Sequence, residues 1–399
     1  MRRASIAGLL VGGLALSGAE LSIPRITVTS GAVSAGELRF ATQGSQVAAF
    51  QVDILYDAEH LKVSPSAGPA ASAKEKLVDS AEVAPGRRRI LLMGFNQSVL
   101  ADGVVVSLLV SSSSGAPGTY WLLLSDAMAA DPNGNPVPVA TINGAISVLA
   151  PPTIATARNA AYLRSTEFCS PGSWATLFGA AFTTLDPTVA DTVPLPTRLG
   201  GAEVRVNDSP VPLLFVSESQ VNFQCPRLGG SSLQVILRAE TGLTTAPFPG
   251  TMREATPGLF TLDSSDPGQG AVLIAGSYEV AMPRTAGIPS RPARRGMQPP
   301  EFLTIYANGL GPTQEDVPVG SPAPLDHVIR MKNAVRVFLG GLEIAPDFAG
   351  LAPGAIGLYQ INVPLTQAVP IGLAVPLRVE VTQSDGTVVA TNEVTVAIE

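Results

Sequence analysis

Histidine and cysteine are almost missing from this chain: 399 residues hold two of each, His60, His327, Cys169 and Cys225. A reaction centre needs proton carriers, nucleophiles or metal ligands held together, and so thin a supply argues against one. His60 falls in a turn after a strand and His327 in a Pro-rich loop, and both are expected as exposed turn residues. There is no Gly-x-Ser-x-Gly elbow and no His-Glu-x-x-His pair. Gly268-Gln269-Gly270 lacks the third glycine and the following helix of a dinucleotide site. Asp131-Pro132-Asn133-Gly134-Asn135 begins like a calcium loop, but Pro136 takes the sixth position and Ile142 the place of the bidentate Glu. It reads as a turn between two strands. The chain is therefore expected to be non-catalytic, with no metal and no cofactor. No two acids stand out as a glycoside-hydrolysing pair, whose proximity a sequence does not display.

Charge is sparse as well, at 14% of residues, and the formal net charge is −7. An acidic surface without a basic stripe argues against nucleic acid as a partner. Arg87-Arg88-Arg89 is the longest basic run, and it is expected at a solvated strand edge. Long apolar runs are absent beyond the leader MRRASIAGLLVGGLALSGA, whose basic start, apolar middle and small-residue end read as a secretory signal peptide over residues 1–19. Cleavage is expected before Glu20 and would remove Arg2 and Arg3, leaving −9. No later stretch spans a bilayer, so the expectation is an exported, secreted protein. Aromatics are only 5%, and Val, Thr and Ile carry the apolar periodicity, punctuated by 39 Gly and 35 Pro. That profile is all-β.

The most informative stretch is Val47 to Val63. Phe50, Val52, Ile54 and Tyr56 alternate with Ala49, Gln51, Asp53 and Leu55, the period of a strand with one buried face. Asp57 turns the chain, and Leu61 and Val63 return to the apolar side. A small-residue loop, Ser64 to Ala84, follows, with a short amphipathic piece from Ala73 to Val78. Further strands are expected at Arg88–Phe95, Gly103–Ser111, Thr119–Ser125 and Ala145–Leu149. Together these make one β-sandwich within residues 20–150.

The phrase Tyr56-Asp57-x-x-x-Leu61 closing a two-faced strand resembles the signature strand of cohesin modules, the receptors that hold dockerin-bearing proteins outside bacterial cells. The resemblance extends through Arg89-Ile90-Leu91-Leu92 to Asn96, Leu100 to Val104, Gly118 with Leu122 to Leu124, Ala127, Asp131 to Gly134, and Asn143 to Ile146. It implies a jelly-roll sandwich, a partner that is a dockerin-like extracellular protein or a polysaccharide, and a setting of extracellular polysaccharide breakdown or surface assembly. In cohesins the outward face of this strand meets dockerin through Asn and Asp side chains. The matching positions here are Ala49, Gln51 and Asp53; Gln51 and Asp53 are expected to point to solvent and to be replaceable at a cost within about 0.5 kcal/mol. Ala49 and Gln51 depart from the family's residue types. A plain solvated face on a purely structural matrix protein is the alternative, and a polysaccharide-active enzyme the third reading.

Ala150-Pro151-Pro152-Thr153 is a stiff linker. Beyond it the chain repeats itself. Trp174 to Phe178 corresponds to Phe302 to Tyr306, Val204-Arg205-Val206 to Val335-Arg336-Val337, and Gln220-Val221-Asn222-Phe223 to Gln360-Ile361-Asn362-Val363. Two Ig-like sandwiches in tandem are expected, over residues 151–258 and 259–399. Phrases such as Pro257-Gly258-Leu259-Phe260 and Leu303 to Gly311 also resemble an uncharacterised C-terminal module family of exported soil-bacterial proteins, related to IPT/TIG domains. Cys169 and Cys225 both fall in the first repeat and are both absent from the second. Export and an even count make them an expected disulfide, against the alternative of two buried thiols.

Overall fold

The computed structural model describes residues 18–113, 117–228 and 231–399, so the expected leader lies outside it as far as Ser17. The protein is all-β, and its chain divides into two compact units at Pro151 and Pro152. Among the described residues no helix is long and apolar enough to cross a membrane.

In the first unit the strands are β1 (Ala19–Ser22), β2 (Ile26–Thr29), β3 (Val33–Ala41), β4 (Ala49–Leu55) and β5 (Leu61–Ala67). After one helical turn, α1 (Pro69–Ser72), come β6 (Leu77–Ala84), β7 (Arg87–Met93), β8 (Gly103–Ser112), β9 (Gly118–Ala130), β10 (Pro136–Val137), β11 (Val139–Ile142) and β12 (Gly144–Leu149). One sheet runs β11-β1-β3-β8-β5, and the other β2-β12-β9-β4-β7-β6 with β10 on β9. The period-two alternation of β4 buries Phe50, Val52 and Ile54 against Leu38, Phe40, Leu108 and Val110 of the facing sheet. Asp57 ends β4: its carboxylate accepts the amides of Glu59 and His60, and Leu61 N–H closes on its carbonyl. The chain thereby crosses between sheets, and Leu61 and Val63 fill the same core from the other side.

Two sequence expectations change here. Residues 64–84 are not one loop, because Leu77–Ala84 is an edge strand on β7. Its Asp79, Ser80, Ala81 and Glu82 carry no apolar alternation, since an edge strand with one exposed side does not require it. Arg87-Arg88-Arg89 is not a sheet edge either, since β7 lies between β4 and β6.

The second unit holds two pairs of sheets around two cores. The duplication is exact in register at its centre. Trp174–Ala180 pairs Gln220–Gln224 with Thr176 opposite Asn222, and Phe302–Asn308 pairs Tyr359–Pro364 with Thr304 opposite Asn362. Even a side-chain bond recurs: Gln220 Nε2 donates to Asn222 Oδ1 at 2.9 Å, and Gln360 Nε2 to Asn362 Oδ1 at 3.0 Å. Cys169 and Cys225 are joined, with Cα atoms 5.7 Å apart. The two repeats are bonded through buried polar groups. Asn308 accepts Trp174 N–H at 2.8 Å and donates to Trp174 O at 2.7 Å and Asn159 Oδ1 at 3.0 Å. Trp174 Nε1 donates to Ile356 O at 2.8 Å. Pairing every buried donor and acceptor this way is what makes such a polar joint stable. Gly258 already pairs with Asn308 on the second repeat's sheet.

Candidate functional site

The outer face of the β12-β9-β4-β7-β6 sheet gathers the unusual side chains of the first unit. Asp53 sits on the outward side of β4, yet its side chain is 0% exposed. Arg89, its neighbour across β7, donates from Nε to Asp53 Oδ1 at 2.8 Å and from Nη2 to Oδ2 at 3.0 Å. Arg87 donates from Nε to Asp53 Oδ2 at 2.7 Å and reaches on to Asp126. The bidentate contact with Arg89 is the first reason the Asp53 carboxyl lies below the usual carboxylate range, working against its burial, and Arg87 adds to it. The same contact raises Arg89 above its ordinary value. The expectation that Asp53 points freely to solvent is corrected: two guanidinium groups cover it.

Asp126 reaches this cluster through a β-bulge. Gln51 lies opposite Met128 and Asp53 opposite Ser125, so β9 carries one extra residue between them. Asp126 takes φ +50°, a left-handed conformation that Asp tolerates, and the bulge re-aims its side chain toward Arg87. The bulge also resets the alternation along β9. Trp121 and Leu123 on one side of it, and Met128 on the other, therefore end on the same outward face, with Trp121 and Met128 each 60% exposed.

Beside the ionic cluster lies a shallow hollow of about 250 Å³ lined by Ala49, Gln51, Leu91, Met93, Met128 and Ala130. Of the three positions expected from the sequence, Ala49 and Gln51 line this hollow and Asp53 does not. Leu77, opposite Met93, extends the exposed apolar surface on β6. Sequence reasoning missed Met93, Met128, Trp121 and the two arginines. The parity of β7 could have found Met93, whereas the side of Trp121 and Leu123 depends on a bulge that alternation does not reveal.

The groups considered for chemistry are each engaged within their own turn or loop. His60 is in its expected turn, with Nδ1 3.0 Å from Asp57 Oδ2 and its ring against Tyr120. His327 lies between Asp326 and Glu315 in an exposed loop. Asp57 holds the His60 pKa above its ordinary value, and Asp326, then Glu315, do the same for His327. Asp131 turns its carboxylate onto its own loop, accepting Asn133 N–H and Asn135 N–H at 2.8 Å and Asn135 Nδ2 at 2.9 Å. Among the described residues no group of three His, Cys, Asp or Glu is arranged to hold a metal.

Searches against family models and curated proteins return no match. Solved structures similar to part of this chain are cohesin domains. One is the sixth cohesin of scaffoldin B from Acetivibrio cellulolyticus, solved in complex with a dockerin, with 19% identity over 33% of this chain and 99% of that one and a TM-score of 0.30. A non-cellulosomal cohesin from Archaeoglobus fulgidus shares 18% identity over 33% and 91% with a TM-score of 0.29. A cohesin from Clostridium acetobutylicum shares 21% identity over 33% and 91% with a TM-score of 0.28.

Proposed function

We propose that this chain is an exported, non-catalytic binding protein whose first unit engages a protein partner across the outer face of the β9-β4-β7-β6 sheet. The observation that carries this is the make-up of that face. Its charges are already matched to one another in the Asp53–Arg87–Arg89–Asp126 cluster, while Trp121, Leu123, Met128, Met93 and Leu77 stay exposed around it. Trp, Met and Arg are the residue types enriched at protein interfaces. A saturated ionic centre leaves no unpaired charge to be buried by a partner, and flanking apolar groups supply affinity on losing water. β9, β4 and β7 are each paired on both sides, so this part of the face is rigid and little ordering cost attends binding.

The dockerin-type partner and the setting of extracellular assembly for polysaccharide breakdown belong to the same proposal and rest on the sequence resemblance. The immobilised full chain should capture a dockerin-bearing exported protein, and Met128→Asp should abolish capture without lowering the melting temperature. Capture unchanged by Met128→Asp would move the site elsewhere.

A further inference from the structure

The first repeat of the second unit carries a groove that is independent of the face just described. Its volume is about 390 Å³, within the range of small-ligand sites. It lies between Thr153–Asn159 and Phe248–Thr251, which end their respective sheets. Phe168 forms the floor, buried, with Phe248 tilted against it at 6.4 Å between ring centres. Gly250 is required there, since a Cβ would come within 2.5 Å of the Phe168 ring. The floor is held in place from below: Phe168 precedes the disulfide-bonded Cys169, whose carbonyl accepts Arg253 N–H at 3.0 Å.

The groove is closed to an added β-strand on both sides. Met252 N–H bonds to Ser231 O, a phase that turns Pro249 away from its sheet, and proline has no N–H to offer an incoming chain. Opposite, Arg158 Nη1 donates to its own strand's Ala157 O at 3.1 Å and so caps that edge. What remains is a set of side chains: Thr166, the Arg253–Glu167 pair at 2.8 Å, the ring of Phe248, and Arg158. A guanidinium beside a carboxylate presents donors and acceptors together, as a sugar diol requires, and an aromatic face accepts the apolar side of a pyranose. Glu167 balances Arg253, which leaves the groove one positive charge in excess, at Arg158.

We propose that this groove binds a short acidic glycan, a uronic-acid segment whose carboxylate meets Arg158 and whose ring rests on Phe248. Calorimetry of the full chain with trigalacturonate, and with cellotriose as the neutral control, tests it. Trigalacturonate should bind with salt-sensitive affinity and cellotriose should not. Arg158→Gln should weaken binding at least about tenfold, as loss of a charge-assisted bond does. Thr166→Trp, which adds bulk at an exposed position of the lining, should abolish binding at an unchanged melting temperature, and it decides the matter if Arg158→Gln fails to fold. No binding of trigalacturonate, equal binding of cellotriose, or binding that survives Thr166→Trp would overturn the proposal.

Discussion

The chain has two tryptophans, and they are used in opposite ways. Trp174 is buried between the repeats of the second unit, with its indole N–H, its amide and its carbonyl all bonded to residues of the other repeat. Trp121 stands on the outer sheet face of the first unit, 60% exposed. The same contrast holds for buried charge and polarity. In the second unit Asn159 and Asn308 close a joint, joined by Gln224, whose Oε1 accepts the Gly320 N–H of the second repeat; in the first, the Asp53 cluster underlies an open face. The contrast is the one expected if the joint in the second unit is a finished surface and the face in the first unit is, as proposed, one that takes a partner.

The largest effect should come from the finished side. Replacing Cys169 and Cys225 together by Ser opens a loop set by a separation of 56 residues, which costs about 4 kcal/mol in the chain-entropy model. Chemical denaturation should show this as loss of stability in the second unit alone. Asn308→Ala follows, at about 2 to 3 kcal/mol, because it strands the buried Trp174 N–H, while Trp174 O keeps Ala160 N–H and Asn159 Oδ1 keeps Ala161 N–H.

In the first unit Asp53→Ala should cost about 2 kcal/mol, since Arg87 and Arg89 lose a hydrogen-bonded charge but keep access to water. That contribution has a definite pH dependence. The folded pKa of Asp53 is depressed, so its stabilisation is fully present above the ordinary Asp value and is lost as pH falls through the folded value. An acid titration of wild type should show the loss, and Asp53→Ala should remove that component. His60 works in the other sense: its raised pKa adds stability below the ordinary His value that disappears as pH rises through the folded one. The smallest effect on folding should come from Trp121→Ala and Met128→Ala, within about 0.5 kcal/mol each by thermal unfolding.

Much of the fold was legible because alternation and repetition are local signals. Phe50, Val52 and Ile54 announced the buried side of β4, and the recurring Gln-x-Asn phrase placed the central strands of both repeats in register. What was not legible depends on non-local geometry. Leu77–Ala84 reads as a loop because an edge strand with polar residues has no apolar rhythm. Asp53 reads as exposed because alternation gives the side of a residue and not what lies over it. Two arginines 34 and 36 residues away in sequence provide the cover. The bulge at Asp126 hides Trp121 in the same way, by changing which parity faces out.

Fluorescence at Trp121 gives the most direct test, because this side chain lies within the proposed interface. The full chain would be titrated with a dockerin module, with Trp174 as a buried internal reference and Trp121→Phe to assign the signal. The account predicts a blue shift that arises from Trp121, saturates with binding, and is absent in Met128→Asp at an unchanged melting temperature. Binding that leaves Trp121 emission where it was, or that persists in Met128→Asp, would contradict it.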